Sequence, residues 1–207
     1  MKFAVVILAA GASVRMGRAK LLLPWADTTI IGHLLGQWRA LGAAQVAVVR
    51  TETNPLLQGE LDRLGVPADQ RILNPQPERG MFSSIQCAAN WSGWAAGLTH
   101  WAVALGDQPH VRRETLQRLL DFTALNPASV CQPGRNGRGR HPVLLPAEVF
   151  FRLREAREED LKQFLLNCGI QLARCEMDDA GLDFDIDEPA DYERARQLVA
   201  IIPDDAK

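Results

Sequence analysis

Apolar residues fall into two spacings along this chain of 207 residues. Short unbroken runs at Phe3–Leu8, 46–49 and 101–105 are rich in valine and alanine and too short for helices. Such runs read as strands buried on both faces of a parallel sheet. Between them, Ile30, Ile31, Leu34, Leu35, Trp38 and Leu41 recur at helical spacing, with cap chemistry at Asp27-Thr28-Thr29 and a stop at Gly42. Asn54-Pro55 pairs an N-cap with proline at the first helical position, opening a helix that Gly65 stops after Leu64.

The pattern continues with a short strand near 71–73 and a helix from Ser83 and Ser84 to about Ala96. A helix over Arg113–Leu125 follows and ends at Asn126-Pro127. Strands at 129–132 and 141–145 flank the low-complexity stretch PGRNGRGR (133–140), which reads as a mobile loop. Helices near 147–154 and 160–168, strands near 170–176 and 183–186, and a last helix from Pro189 complete the chain. Strand and helix alternate throughout. The expected fold is α/β, a single doubly wound, mostly parallel sheet in one domain over 1–207, with ligands at the carboxyl ends of the strands.

Bulk properties narrow the function more than the fold. A chain of this length buries roughly 70% of its unfolded surface without needing staples. A net charge of −2 gives no broad nucleic-acid footprint, so a polyanionic ligand must be met by local cations. No apolar run approaches the roughly 20 residues that span a bilayer, and the chain enters its first strand after one lysine, without a cleavable hydrophobic segment. The expectation is a cytoplasmic protein that binds neither nucleic acid nor membrane. Cys87, Cys131, Cys168 and Cys175 are scattered and read as free thiols in a reducing compartment.

The chemistry gathers after the first strand. Phe3–Leu8 empties into Ala9-Ala10-Gly11-Ala12-Ser13, followed by Arg15 and Lys20 with Gly17 between them. Small residues let the backbone approach a ligand, and backbone N–H groups with two fixed cations suit a triphosphate. The stretch Leu8-Ala9-Ala10-Gly11-x-Ser13-x-Arg15-Met16-Gly17-x-x-Lys20 resembles the signature loop of the MobA-like nucleotidyltransferases, and within them the branch of the molybdenum cofactor cytidylyltransferases. That resemblance implies a Rossmann-like nucleotidyltransferase fold similar to glycosyltransferase A. It also implies nucleotide contacts from Leu8, Ala9, Ala10, Gly11 and Ala12, with Arg15 and Lys20 on the triphosphate.

Further segments carry the same resemblance. Gly106-Asp107-Gln108-Pro109 follows a buried strand and resembles the family's magnesium-binding turn, which implies that Asp107 is a metal ligand and catalytic residue. In 183–191 (DFDIDEPAD), alternation along a strand would put Asp183, Asp185 and Asp187 on one side, where they repel unless a cation or solvent relieves them. This segment resembles the closing D-x-D-x-P-x-D signature, which implies that Asp185, or next Asp187, completes the metal site. Asp187 reads equally as the N-cap of the last helix, and Asp191 as a favourable first-turn charge.

The resemblance further places Asn74 and Gly80-Met81-Phe82-Ser83-Ser84 near the nucleotide, with Ser84 reading the base, although Ser84 also suits a helix cap. L-A-A-G at 8–11 resembles the cytidylyl branch, where the guanylyl branch carries a second glycine. His141-Pro142-Val143 resembles the segment that faces the acceptor, with Arg140 in place of the usual glycine. Arg135, Arg138 and Arg140 suit an acceptor phosphate or a solvated loop. The family's G-D-x-G-A-R segment is poorly matched at 158–162, so both departures fall in the acceptor half.

The implied reaction is Mg²⁺- or Mn²⁺-dependent transfer of CMP from CTP to a phosphate acceptor such as molybdopterin, with a molybdoenzyme or its maturation chaperone downstream. The rivals are GTP as donor, a sugar- or alcohol-phosphate acceptor, and a non-catalytic module that binds nucleotide or cofactor. Two others fail on spacing. Gly11-x5-Gly17 lacks the G-x-G-x-x-G of a dinucleotide fold, and Lys20 has neither the preceding glycine nor the following Ser/Thr of a P-loop.

Overall fold

The computed structural model describes residues 1–11, 16–52 and 54–200. In chain order the main elements are β1 (Phe3–Leu8), α1 (Ile30–Ala40), β2 (Gln45–Arg50), α2 (Pro55–Arg63), β3 (Arg71–Leu73) and α3 (Met81–Asn90). Next come β4 (His100–Leu105), α4 (Arg113–Leu125), β5 (Val130–Arg135), β6 (Arg138–Gly139), β7 (Val143–Pro146) and α5 (Ala147–Arg152). The last are α6 (Leu161–Asn167), β8 (Leu172–Glu176) and α7 (Pro189–Ala200). The eight-stranded sheet has the order β8-β5-β7-β4-β1-β2-β3, with β6 paired to β5.

β1 lies parallel to β2 on one side and to β4 on the other, Phe3 to Leu8 facing His100 to Leu105 in register. β7 runs antiparallel to both β4 and β5, and the short β6 runs antiparallel to β5, so the sheet is mostly parallel with two reversed strands. The chain leaves β1 in one direction and returns across it to β4. That opens the crevice of a doubly wound sheet at the carboxyl ends of β1 and β4.

Helices cover both faces, as the unbroken apolar runs require. Phe3, Val5 and Ile7 pack with α1, α2 and α4, while Ala4 and Val6 pack with Ile85, Phe150 and Phe164. The helix signals act as read: the Thr29 hydroxyl accepts from Gly32 N–H, and the Asn54 side chain from Leu57 N–H. At the crevice, Gly106 N–H donates to the Leu8 carbonyl, and a Cβ on Gly106 would lie 2.6 Å from that oxygen. Glycine is required there because two strand ends meet.

Three expectations are corrected. The helix expected at 83–96 runs Met81–Asn90. It ends where Trp91 and Trp94 meet edge to face, with Trp94 Nε1 donating to the Ala88 carbonyl. The stretch at 133–140, expected as a loop, is a hairpin of β5 and β6, with Gly134 opposite Gly139 and Arg135 opposite Arg138. Asn136 and Gly137 take φ of 53° and 72°, the left-handed pair that a two-residue hairpin turn requires.

The strand expected at 183–186 is absent. A short 3₁₀ turn, Ala180–Asp183, leads into irregular chain whose backbone groups bond to other elements instead of a neighbouring strand. The alternation argument for the acidic residues therefore fails. The last helix does begin at Pro189, but its entry is held by Asp191, whose carboxylate accepts from the N–H groups of Asp187 and Glu188.

Candidate active site

The end of β1 opens onto a cleft of about 930 Å³. Leu8, Ala9, Ala10 and Gly11 form one wall, and Lys20, Gly106 and Asp107 form the floor towards β4. Gly80, Met81 and Ser84 close the far side from the start of α3. The sequence-based candidates Leu8, Ala9, Ala10, Gly11, Lys20, Gly80, Ser84 and Asp107 thus share one cavity. Ala12 and Arg15 lie outside the described residues.

Lys20 begins a 3₁₀ turn, Lys20–Leu22, anchored by the buried Leu21 and by Leu23 just beyond it. Its Nζ donates to Asp107 Oδ2 at 2.6 Å, to the Ile186 carbonyl at 3.1 Å and to Asp187 Oδ1 at 3.3 Å. Three oxygens from two separate segments therefore surround one cation. Asp185 stands beside them, its Oδ1 accepting from Gln108 Nε2 at 2.9 Å. Burial, reinforced by the charges of Asp107 and Asp187, holds Asp185 above the ordinary carboxyl range, with the Gln108 bond and Lys20 opposing.

The segment that carries these acids is tied down residue by residue. Asp183 bonds to Arg135 and Arg140, and the Phe184 carbonyl lies 3.1 Å from His110 Nε2. Ile186 N–H donates to the Asp107 carbonyl. The His110 ring also stacks on Phe184, centroids 4.3 Å apart. Asp183, grouped with Asp185 and Asp187 by alternation, points instead to the β5–β6 hairpin.

The wall near α3 is a layered construction. Asn74, 1% exposed, donates from Nδ2 to both Ser83 Oγ and Ser84 Oγ at 2.9 Å, and its Oδ1 accepts from Gln76 N–H. Ser84 lines the cleft, whereas Asn74 sits behind it and borders a neighbouring pocket of about 440 Å³. Asn74 thus supports the wall and does not form its surface.

The residues expected to face an acceptor lie across β4 from the cleft. Arg140 Nη2 donates to Asp183 Oδ1 and Arg135 Nε to Asp183 Oδ2, each at 2.7 Å, and Arg135 Nη1 reaches Asp178. The hydrogen bond from Arg135 is the main reason Asp183 ionises below the usual carboxyl range. His141 Nδ1 lies 3.3 Å from the Val103 carbonyl, and burial lowers its pKa below the ordinary imidazole value, leaving the ring neutral at pH 7. Neither Arg140 nor His141 lines the nucleotide-sized cleft.

Sequence reasoning missed Gln108 as the partner of Asp185, and Thr51 and Asn54 as cleft residues. The last two had a readable signal, since they follow the carboxyl end of a strand beside β1. Among the described residues no group of three or more His, Cys, Asp or Glu side chains is arranged as a metal site. The oxygen donors present suit a hard divalent cation held by one or two carboxylates together with substrate phosphates.

A doubly wound sheet with a small-residue turn, a lysine and facing carboxylates at its switch point defines an α/β protein that handles nucleotide phosphates. The MobA-like NTP transferase domain matches residues 5–174, and the chain belongs to that family and is a nucleotidyltransferase. It is 24% identical to the molybdenum cofactor cytidylyltransferase of Escherichia coli K12 over 93% of this chain and 94% of that protein. It is 36% identical to a probable molybdenum cofactor guanylyltransferase of Mycobacterium ulcerans over 47% of this chain and 53% of that one.

Among solved structures, Rv0371c of Mycobacterium tuberculosis H37Rv superposes with a TM-score of 0.75 at 25% identity, covering 95% of this chain and 99% of its own. The same protein has been solved in complex with manganese, at 24% identity and a TM-score of 0.69. Among the described residues no helix is long and apolar enough to cross a membrane.

Proposed function

We propose that this nucleotidyltransferase, acting as one unit over 1–207 in the cytoplasm, moves CMP from CTP to the terminal phosphate of molybdopterin and releases pyrophosphate. The observation that carries the reading is the meeting of Lys20, Asp107 and Asp187 at the floor of the cleft beside Leu8 to Gly11. Likeness to the Escherichia coli cytidylyltransferase over nearly the whole chain supports the donor and the acceptor, as does Ala9-Ala10 in the signature loop. The partial likeness to a guanylyltransferase makes GTP the second donor to test.

In this reading the backbone of Leu8 to Ala12 and the Ser84 hydroxyl hold the nucleotide, and Arg15 and Lys20 hold its triphosphate. Transfer between phosphates needs in-line positioning and charge neutralisation more than covalent help. Lys20 is suited to offset charge that develops at the α-phosphate as the acceptor oxygen attacks and pyrophosphate leaves.

The carboxylates of Asp107 and of Asp185 or Asp187 would hold Mg²⁺ or Mn²⁺. The site fits such an ion, because Lys20 already sits among three oxygens there and Asp185 stands beside the carboxylates of Asp107 and Asp187. When bound, the ion would supply further neutralisation of the phosphates. Arg140 and His141 are assigned to the acceptor side, and a molybdoenzyme or its chaperone to the product. The reading is tested by turnover of radiolabelled CTP with molybdopterin: it requires a labelled dinucleotide product, and full activity in a protein with both Lys20→Ala and Asp107→Ala would refute it.

A further inference from the structure

The acidic segment 183–187 has no strand partner, yet each of its residues is fixed from outside. Phe184 to Asp187 are held by the turn after β4 and by Lys20, which belong to the nucleotide side. Asp183 alone is held from the acceptor side, by Arg135 and Arg140. Both of its carboxylate oxygens are engaged at 2.7 Å, one by each guanidinium. Two charge-assisted bonds from different residues fix the orientation of the carboxylate as well as its position.

The hairpin that supplies these arginines is well braced. Its turn is the Asn136-Gly137 pair, and Arg140 N–H donates to the Pro133 carbonyl at 2.8 Å. The charges also balance: Arg135 and Arg140 face Asp178 and Asp183. As the pair stands, it has no surplus positive charge to offer an acceptor phosphate.

We propose that Asp183, clamped by Arg135 and Arg140, is a positioning residue that sets the 183–187 segment and so keeps Asp185 and Asp187 beside Asp107. The hairpin arginines then act on the carboxylate cluster from a distance, in addition to any contact with acceptor. The link to metal binding rests on the reading of Asp107, Asp185 and Asp187 given above. The positional claim does not.

The test uses the full chain with Asp183→Asn, which keeps the shape and removes the charge, and Arg140→Lys, which keeps a charge and loses the planar fork. Asp178→Asn removes only the exposed outer pair and serves as the control. Amide exchange at Ile186, whose N–H donates to the Asp107 carbonyl, reports the position of the segment in the free protein. Mn²⁺ titration followed by electron paramagnetic resonance reports the carboxylates.

Asp183→Asn is expected to speed Ile186 exchange about tenfold or more through local opening. It is also expected to weaken Mn²⁺ binding about 10-fold, the lower end of what removing a bonded outer partner costs, because Asp183 acts through the chain and bonds to no ligand itself. Arg140→Lys should fall between, and Asp178→Asn should match the parent. Unchanged Ile186 exchange and Mn²⁺ affinity in Asp183→Asn, with only the KM for acceptor raised, would overturn the proposal. A parent protein that binds no Mn²⁺ would instead sink the metal assignment, and Ile186 exchange would still decide the clamp. Should Asp183→Asn fail to fold, Arg140→Lys carries both readouts.

Discussion

Along the carboxyl edge of the sheet, the side built on β1, β2 and β3 and the side built on β5 and β6 handle polar groups in opposite ways. Beside β1, backbone and small side chains border an open cleft, and the buried amide of Asn74 braces Ser83 and Ser84 from behind. Beside β5, long charged side chains close on one another, Arg135 and Arg140 meeting Asp178 and Asp183. The first arrangement is prepared for a ligand, since its support is spent behind the surface. The second is satisfied internally, so an anionic ligand there must compete with carboxylates already in place. Lys20 stands on the border, joined to Asp107 and Asp187.

The comparison breaks most decisively at that border. Lys20→Ala should lower the rate of pyrophosphate release about 10²- to 10³-fold, the usual effect of losing one preorganised charge-stabilising donor. A steady-state assay at saturating nucleotide checks it, and a loss confined to KM would move Lys20 out of the reacting centre.

The wall behind the cleft should respond in stability. Asn74→Ala removes the amide partner of the Ser84 hydroxyl and of the Gln76 N–H, while Ser83 keeps its bonds to the Gln76 and Gly80 carbonyls, and about 1–3 kcal/mol of unfolding free energy should be lost. Urea denaturation measures this directly. Ser84→Ala sharpens the contrast because it removes a cleft-lining hydroxyl and only one of the bonds that Asn74 makes. The KM for nucleotide should rise by about 2- to 10-fold, one hydrogen bond, with kcat nearly unchanged.

The smallest effect concerns pH. Asp185 takes up a proton more readily in the folded protein than in the unfolded chain, because burial and the charge of Asp107 penalise its carboxylate. Its contribution to stability therefore falls as pH rises from the ordinary carboxyl range through its elevated folded value. Without divalent metal, Asp185→Asn should melt higher than the parent at neutral pH, and the gain should shrink as the protein is acidified towards about pH 4. Thermal melts across that range test it, and a gain that grows on acidification would contradict the assigned environment.

Much of this architecture was legible in the chain. Unbroken apolar runs located β1, β2 and β4, and caps at Thr29 and Asn54 placed α1 and α2, because those signals are local. Gly106 and Asp107 were readable as a strand-end turn for the same reason. The hairpin at 133–140 was misread although Asn136-Gly137 carries its turn signal, since arginine and glycine content outweighed it.

The 183–187 segment could not be read from periodicity. Its conformation is set by His110, Gln108, Lys20 and the hairpin arginines, all distant in sequence, so alternation described a strand that has no partner. The closed state of Arg135 and Arg140 was hidden likewise, because Asp183 lies more than forty positions from either.

The central claim, CMP transfer to molybdopterin, is met most directly by measuring pyrophosphate release with Mg²⁺ or Mn²⁺ from CTP and from GTP, each with and without molybdopterin. The account predicts release from CTP that depends on molybdopterin and little from GTP. Release from GTP in preference to CTP, or none from CTP with molybdopterin and metal present, would contradict it.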